Sequence, residues 1–99
     1  MYGLSDDTVR DLCSVFRRYK NISKVIIFGS RAKGNHRPGS DIDLALVGDG
    51  IDCREIMRML DDIDDTGLLY KVDLLDYASI SGKPLGRHVD RVGKVFYEA

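Results

Sequence analysis

A short apolar run at residues 24–28 (KVIIF) stops abruptly at Gly29-Ser30. Ten residues later a second run opens as Asp41-Ile42-Asp43 and continues LALV. Both runs are too short for helices. The first is apolar at four consecutive positions, as expected of a strand covered on both faces. Residues two apart in a strand share a face, so Asp41 and Asp43 project together while Ile42, Leu44 and Leu46 turn to the other side. The chain must therefore fold so that a sheet carries an acidic pair on one face and a continuous apolar row on the other.

The remaining segments supply the cover. Over residues 5–20, Val9, Leu12, Cys13, Phe16 and Tyr19 recur at three- and four-residue steps, which predicts a helix with one buried face. Ser5 is its expected N-cap, with Asp6 and Asp7 at the positive end of the dipole. A short helix is expected over residues 30–34, a turn-rich loop over 35–40 (NHRPGS) and a strand over 41–47. Residues 52–64 predict the second main helix, with Asp52 as N-cap and Glu55 three residues on, a capping-box pattern. Its buried stripe is Ile56, Met59, Leu60 and Ile63. Residues 68–76 (LLYKVDLLD) predict a third strand. Pro84 opens a last helix, with Leu85, His88, Val89 and Val92 on its inner side and Gly93 ending it before KVFY. This alternation predicts an α/β fold, a short mixed sheet flanked by helices. At 99 residues and 43% hydrophobic content, the expectation is one domain spanning 1–99 with one modest core.

The chemistry concentrates in residues 28–46. Gly29 lets the backbone turn sharply and approach a ligand closely. A helix beginning at Ser30 offers free N–H groups and a positive dipole end to phosphate, with the Ser30 hydroxyl beside them. Arg31, Lys33 and Arg37 add positive charge, and an arginine such as Arg31 is shaped for bidentate phosphate contact. Asp41 and Asp43 repel each other, and burial would raise their pKa values. A hard cation relieves both, and Mg²⁺ is the usual one in phosphate chemistry. A third acid is expected on a neighbouring strand. Asp73, embedded in Val72-Asp73-Leu74-Leu75, is the candidate, because a carboxylate in such a setting needs a partner. Asp76, at the strand's end, is its rival. Asp-x-Asp alone marks no more than a solvated turn or strand edge; its distance from Gly-Ser gives it meaning. His36 reads as a surface residue and His88 as a histidine satisfied on its helix face.

Gly29-Ser30, ten residues, Asp41-Ile42-Asp43 and the later strand acid Asp73 together resemble the G-S-x10-D-x-D signature of the polymerase-β-like nucleotidyltransferase superfamily. The short length and the closing stretch at 88–97 (HVDRVGKVFY) resemble the minimal nucleotidyltransferase (MNT) family, although Val92 stands where an acid is more usual. Members of that family are often antitoxins paired with HEPN-domain ribonuclease toxins. The resemblance implies that Gly29 and Ser30 grip the nucleotide triphosphate and that Arg31 contacts phosphate. It implies that Asp41 and Asp43 bind two Mg²⁺ ions, and that Asp73 binds the catalytic one and helps activate the attacking hydroxyl. The implied reaction moves AMP from ATP to a tyrosine hydroxyl of a HEPN-type toxin, with pyrophosphate leaving. A hetero-oligomer with that partner belongs to the same expectation, since larger relatives carry a second domain for the acceptor. Two other readings stand beside it: an antitoxin that works by binding alone, and an antibiotic-type small-molecule nucleotidyltransferase that works with a helical partner subunit.

Composition narrows the classes further. A net charge of -1, from 15 Lys+Arg against 16 Asp+Glu, gives no overall field for direct nucleic-acid binding. No run approaches the ~20 apolar residues of a membrane span. The start MYGLSDDTVR lacks the layout of a signal peptide. Cys13 and Cys53 fit no metal-ligand spacing and read as buried free thiols of a reducing compartment. Cytoplasm is the expected location.

Overall fold

A computed structural model describes residues 1–99. The elements, in chain order, are α1 (Asp6–Arg17), β1 (Ile22–Phe28), α2 (Gly29–Lys33), β2 (Ile42–Gly48), α3 (Cys53–Asp64), β3 (Val72–Asp76), α4 (Tyr77–Ile80), α5 (Pro84–Val92) and β4 (Lys94–Glu98). The four strands form one sheet in the order β3-β2-β1-β4. β2 and β3 run parallel, whereas β1 is antiparallel to both β2 and β4. This is the α/β fold with a mixed sheet that the sequence predicts.

Local chemistry sets the helix starts. The Ser5 hydroxyl accepts from the backbone N–H of Thr8 and opens α1. Asp52 accepts from the N–H of Glu55 and opens α3. Only half of the expected capping box forms there. The Glu55 carboxylate accepts from Asn21 Nδ2 at 2.7 Å instead, which ties α3 to the chain entering β1.

Packing divides by strand parity. On one side of the sheet, Leu12, Val15 and Phe16 of α1 and Met59 and Ile63 of α3 meet Val25, Ile27, Ile42, Leu44, Leu46 and Leu74. On the other side a smaller cluster joins Phe28 and Ala45 to Val89 of α5, with Ile26, Leu75, Tyr77 and Ile80 around it.

Three expectations change. The third strand begins at Val72, and residues 68–71 form a loop. Gly67 turns the chain at φ 77°, Leu69 is 97% exposed, and Tyr70 is drawn under the Arg31 guanidinium. The closing KVFY, to which the sequence assigns no element, lies in a fourth strand that pairs with β1. Gly93 permits this turn, because a Cβ there would stand 2.5 Å from Ile26 Cγ2. Finally, Cys53 lies exposed in the first turn of α3 and Cys13 is only half-buried; both are free. No helix is long and apolar enough to cross a membrane.

Candidate active site

The register of the sheet sets three residues in a row. Phe28 on β1 pairs with Asp43 on β2, and Asp43 pairs with Asp73 on β3. Paired residues on neighbouring strands share a face, so the two carboxylates stand side by side. Gly29 follows Phe28 at the same end of the sheet with φ 75°. A Cβ on Gly29 would lie 2.5 Å from Asp43 Oδ2, so only glycine lets the chain turn into α2 across that carboxylate.

The electrostatics of the pair follow from this placement. Burial, then the negative charges of Asp73 and Asp41, and a hydrogen bond shared with Asp73 hold the Asp43 carboxyl above the usual carboxylate range; Lys71 acts against them. Neighbouring carboxylates of this kind favour a shared proton or a cation between them. Asp41 sits one residue ahead of β2 and is exposed, close enough for its charge to be felt at Asp43. The three acids do not make a ready-made cage. No three His, Cys, Asp or Glu side chains stand close enough to hold an ion by themselves. Mg²⁺ does not require one, because it is commonly held by one or two carboxylates together with waters and substrate phosphates. The Asp43–Asp73 pair, two hard donors that repel each other beside an open cleft, fits that ion.

The cleft, about 490 Å³, lies over the pair. Phe28, Gly29, Leu75, Leu85 and His88 border it beside Asp43 and Asp73. The Phe28 and His88 rings meet edge to face at 6.3 Å between centroids. Helical periodicity does place Leu85 and His88 on one side of α5. It does not reveal that this side borders a cleft, because core and cleft lining share the same spacing.

Ser30 lies in the first turn of α2, and no side chain caps that turn. Arg31 lies elsewhere. It is 2% exposed, and Nε and Nη2 both donate to the carbonyl of Ser40, at 3.1 and 2.8 Å. Nη1 donates to the carbonyl of Tyr2 at 2.9 Å, and the guanidinium lies 4.9 Å from the Tyr70 ring centroid. The structure therefore does not bring Arg31 to the cleft, against the expected phosphate contact. Its donors fasten the residue before Asp41 to the N-terminal turn, and its plane packs on the loop that leads into β3. Its partners Tyr2, Ser40 and Tyr70 are far apart in sequence, so no local signal announces the clamp. His36 packs on the same N-terminal turn, where a Cβ on Gly3 would stand 2.2 Å from its Nε2.

The family model described as Polymerase beta, Nucleotidyltransferase matches residues 10–99. No curated protein sequence matches the chain. Among solved structures, a toxin–antitoxin complex with AMP-PNP contains a chain that superposes with a TM-score of 0.76 at 24% identity, over 92% of this chain and 73% of that one. The toxin–antitoxin MntA-HepT gives 0.71 at 21% identity, over 96% and 74%. A complex of tri-AMPylated Shewanella oneidensis HEPN toxin with MNT antitoxin gives 0.70 at 21% identity, over 93% and 71%. At these identities the likeness is one of fold.

Proposed function

From the chain's membership of the polymerase-β nucleotidyltransferase family, we propose that it transfers AMP from ATP to a tyrosine hydroxyl of a HEPN-type toxin and thereby acts as its antitoxin. The observation that carries the reading is the cross-strand pair Asp43–Asp73, held beside Gly29 at the mouth of a cleft. The solved complexes support the choice of acceptor, since one joins an MNT antitoxin to a tri-AMPylated HEPN toxin and another contains AMP-PNP.

In this reading Gly29 and Ser30 receive the triphosphate at the uncapped start of α2, with the Ser30 hydroxyl beside it. Asp41, Asp43 and Asp73 would hold two Mg²⁺ ions, with substrate phosphate completing their shells. When bound, Mg²⁺ supplies charge neutralisation at the reacting phosphate. The acceptor oxygen forms a bond to the α-phosphorus as the bond to the bridging oxygen of pyrophosphate breaks, and pyrophosphate leaves with that electron pair. Asp73, at the outer end of the row, orients the incoming hydroxyl, whose proton passes to water. Arg31 acts at one remove by fixing the Ser40–Asp41 segment. Catalysis rests mainly on positioning and electrostatics, as in other phosphoryl-group transfers.

The test is the intact mass of the toxin after incubation with this chain, ATP and Mg²⁺. Wild type is expected to add increments of AMP. Asp41→Asn with Asp43→Asn is expected to slow the addition about 10³-fold or more, the scale on which electrostatic groups act at reacting centres. A toxin that is silenced in a stable complex with no added mass would replace transfer by neutralisation through binding.

A further inference from the structure

The cleft continues past the acids along the edge of the sheet. Residues 72–75, four in succession on β3, line it, with Leu60 of α3 on one side and Leu85 and His88 of α5 on the other. β3 pairs only with β2 and forms one edge of the sheet. In a parallel ladder, alternate residues direct their main-chain groups to the neighbour and away from it. Ile42 N donates to the carbonyl of Lys71, and Ile42 is in register with Val72. Asp73 and Leu75 therefore bond to β2, while the N–H and C=O groups of Val72 and Leu74 point outward.

Natural edges are usually blunted by short length, charged side chains, proline or a covering element. The strand VDLLD is short but has neither proline nor lysine; its charges are Asp73, which lines the cleft, and Asp76 at its end. An apolar side chain stands next to it instead: Leu69, almost fully exposed just before the strand.

We propose that the free edge of β3 is the acceptor-docking surface, where an extended segment of the acceptor protein adds as a fifth strand. This rests on the nucleotidyl-transfer reading above. The row Phe28, Asp43, Asp73 crosses the sheet from β1 to β3, with Gly29 and Ser30 at the β1 end. In-line displacement places nucleophile and leaving group on opposite sides of the phosphorus. With the triphosphate held at the β1 end, the nucleophile enters from the β3 end. A strand added about 4.8 Å beyond β3 presents alternate side chains to the face of Asp73. A hydroxyl residue in register with Asp73 then continues the row. Its immediate neighbours in that strand turn to the opposite face, beside Val72, Leu74 and Leu60. The acceptor segment is thus a hydroxyl residue between apolar ones, in extended conformation.

The test is residue-resolved amide exchange on the full chain with Mg²⁺ and a non-hydrolysable ATP analogue, before and after adding the HEPN-type toxin, alongside the mass assay with ATP. The N–H groups of Val72 and Leu74 are expected to exchange at least tenfold more slowly with toxin, while Asp73 and Leu75, already bonded to β2, change little. Val72→Pro removes one outward donor and leaves the β2 ladder intact. It is expected to slow AMP addition at least tenfold, with calorimetric binding of the analogue reporting separately on the donor side. Toxin that gains AMP while Val72 and Leu74 exchange as in the free chain would overturn edge docking and leave transfer standing. Toxin that binds and protects the two amides without gaining AMP would support edge docking and end the transfer reading. A toxin that neither binds nor gains mass would overturn both.

Discussion

The side of the sheet covered by α1 and α3 belongs to a core cluster of sixteen buried residues; the side under α4 and α5 gathers three. The first side is filled by Leu44, Leu46, Phe16 and Met59, all fully buried, in the manner of an ordinary packed interior. The second gives up packing where Asp43, Asp73 and Gly29 stand around the cleft. Hydrophobic burial on one face thus holds strands whose other face carries mutually repelling carboxylates. A domain this small has little stability to spare, so the division shows which residues the fold is built on and which it tolerates.

The sharpest way to break the comparison is to move the same change from one face to the other. Leu44→Ala on the packed face is expected to cost ~3 kcal/mol through lost transfer energy and a cavity. Leu85→Ala beside the cleft, where the side chain is 40% exposed, is expected to cost under ~1 kcal/mol and to lower AMP transfer several-fold. Denaturant unfolding paired with the mass assay reads both, and equal losses of stability would erase the distinction.

Arg31 tests where scaffold ends and site begins. Arg31→Met leaves the partly buried carbonyls of Ser40 and Tyr2 without their donors, at an expected cost of about 2 kcal/mol. Well below its melting temperature the variant is expected to keep its KM for ATP within about twofold. A large rise in KM without loss of stability would restore the phosphate contact that the sequence suggests.

The smallest effect lies on the packed side. The Tyr19 hydroxyl donates to Asp62 Oδ2 at 2.6 Å, and burial first, then this bond and the Asp62 charge, push its pKa from 10.0 up to about 12. The folded state holds this proton more tightly than the unfolded chain. Its contribution is therefore complete below pH ~10 and is lost as pH rises towards ~12. Tyr19→Phe is expected to flatten the stability profile in that window, and an unchanged slope would show that the bond contributes nothing.

Much of this division is legible in the sequence, and the parts that are not have physical reasons. The alternation Asp-Ile-Asp-Leu states which strand face is acidic, and the cap residues Ser5 and Asp52 announce their helices. β4 escapes notice because five residues after a helix acquire strand identity only through pairing with β1, some seventy positions earlier. Residues 68–71 look like strand but follow Tyr70 to Arg31. Arg31 itself reads as a phosphate ligand because its neighbours in sequence are Gly29 and Ser30. Its actual partners are assembled only by the fold. His88 and Leu85 show the same limit, since a helical stripe does not say whether it meets a core or a cleft.

The most direct measurement is the melting temperature of wild type and Asp43→Asn, each with and without Mg²⁺ and a non-hydrolysable ATP analogue. Burial and the nearby charges of Asp73 and Asp41 disfavour the ionised Asp43 carboxylate in the folded state, so at neutral pH its charge costs stability. Without Mg²⁺ the variant is expected to melt higher than wild type. Mg²⁺ with the analogue should raise wild type strongly and the variant little. A variant that melts lower without Mg²⁺, or a wild type that Mg²⁺ and the analogue leave unmoved, would make Asp43 a structural residue and contradict the account of this face as the catalytic one.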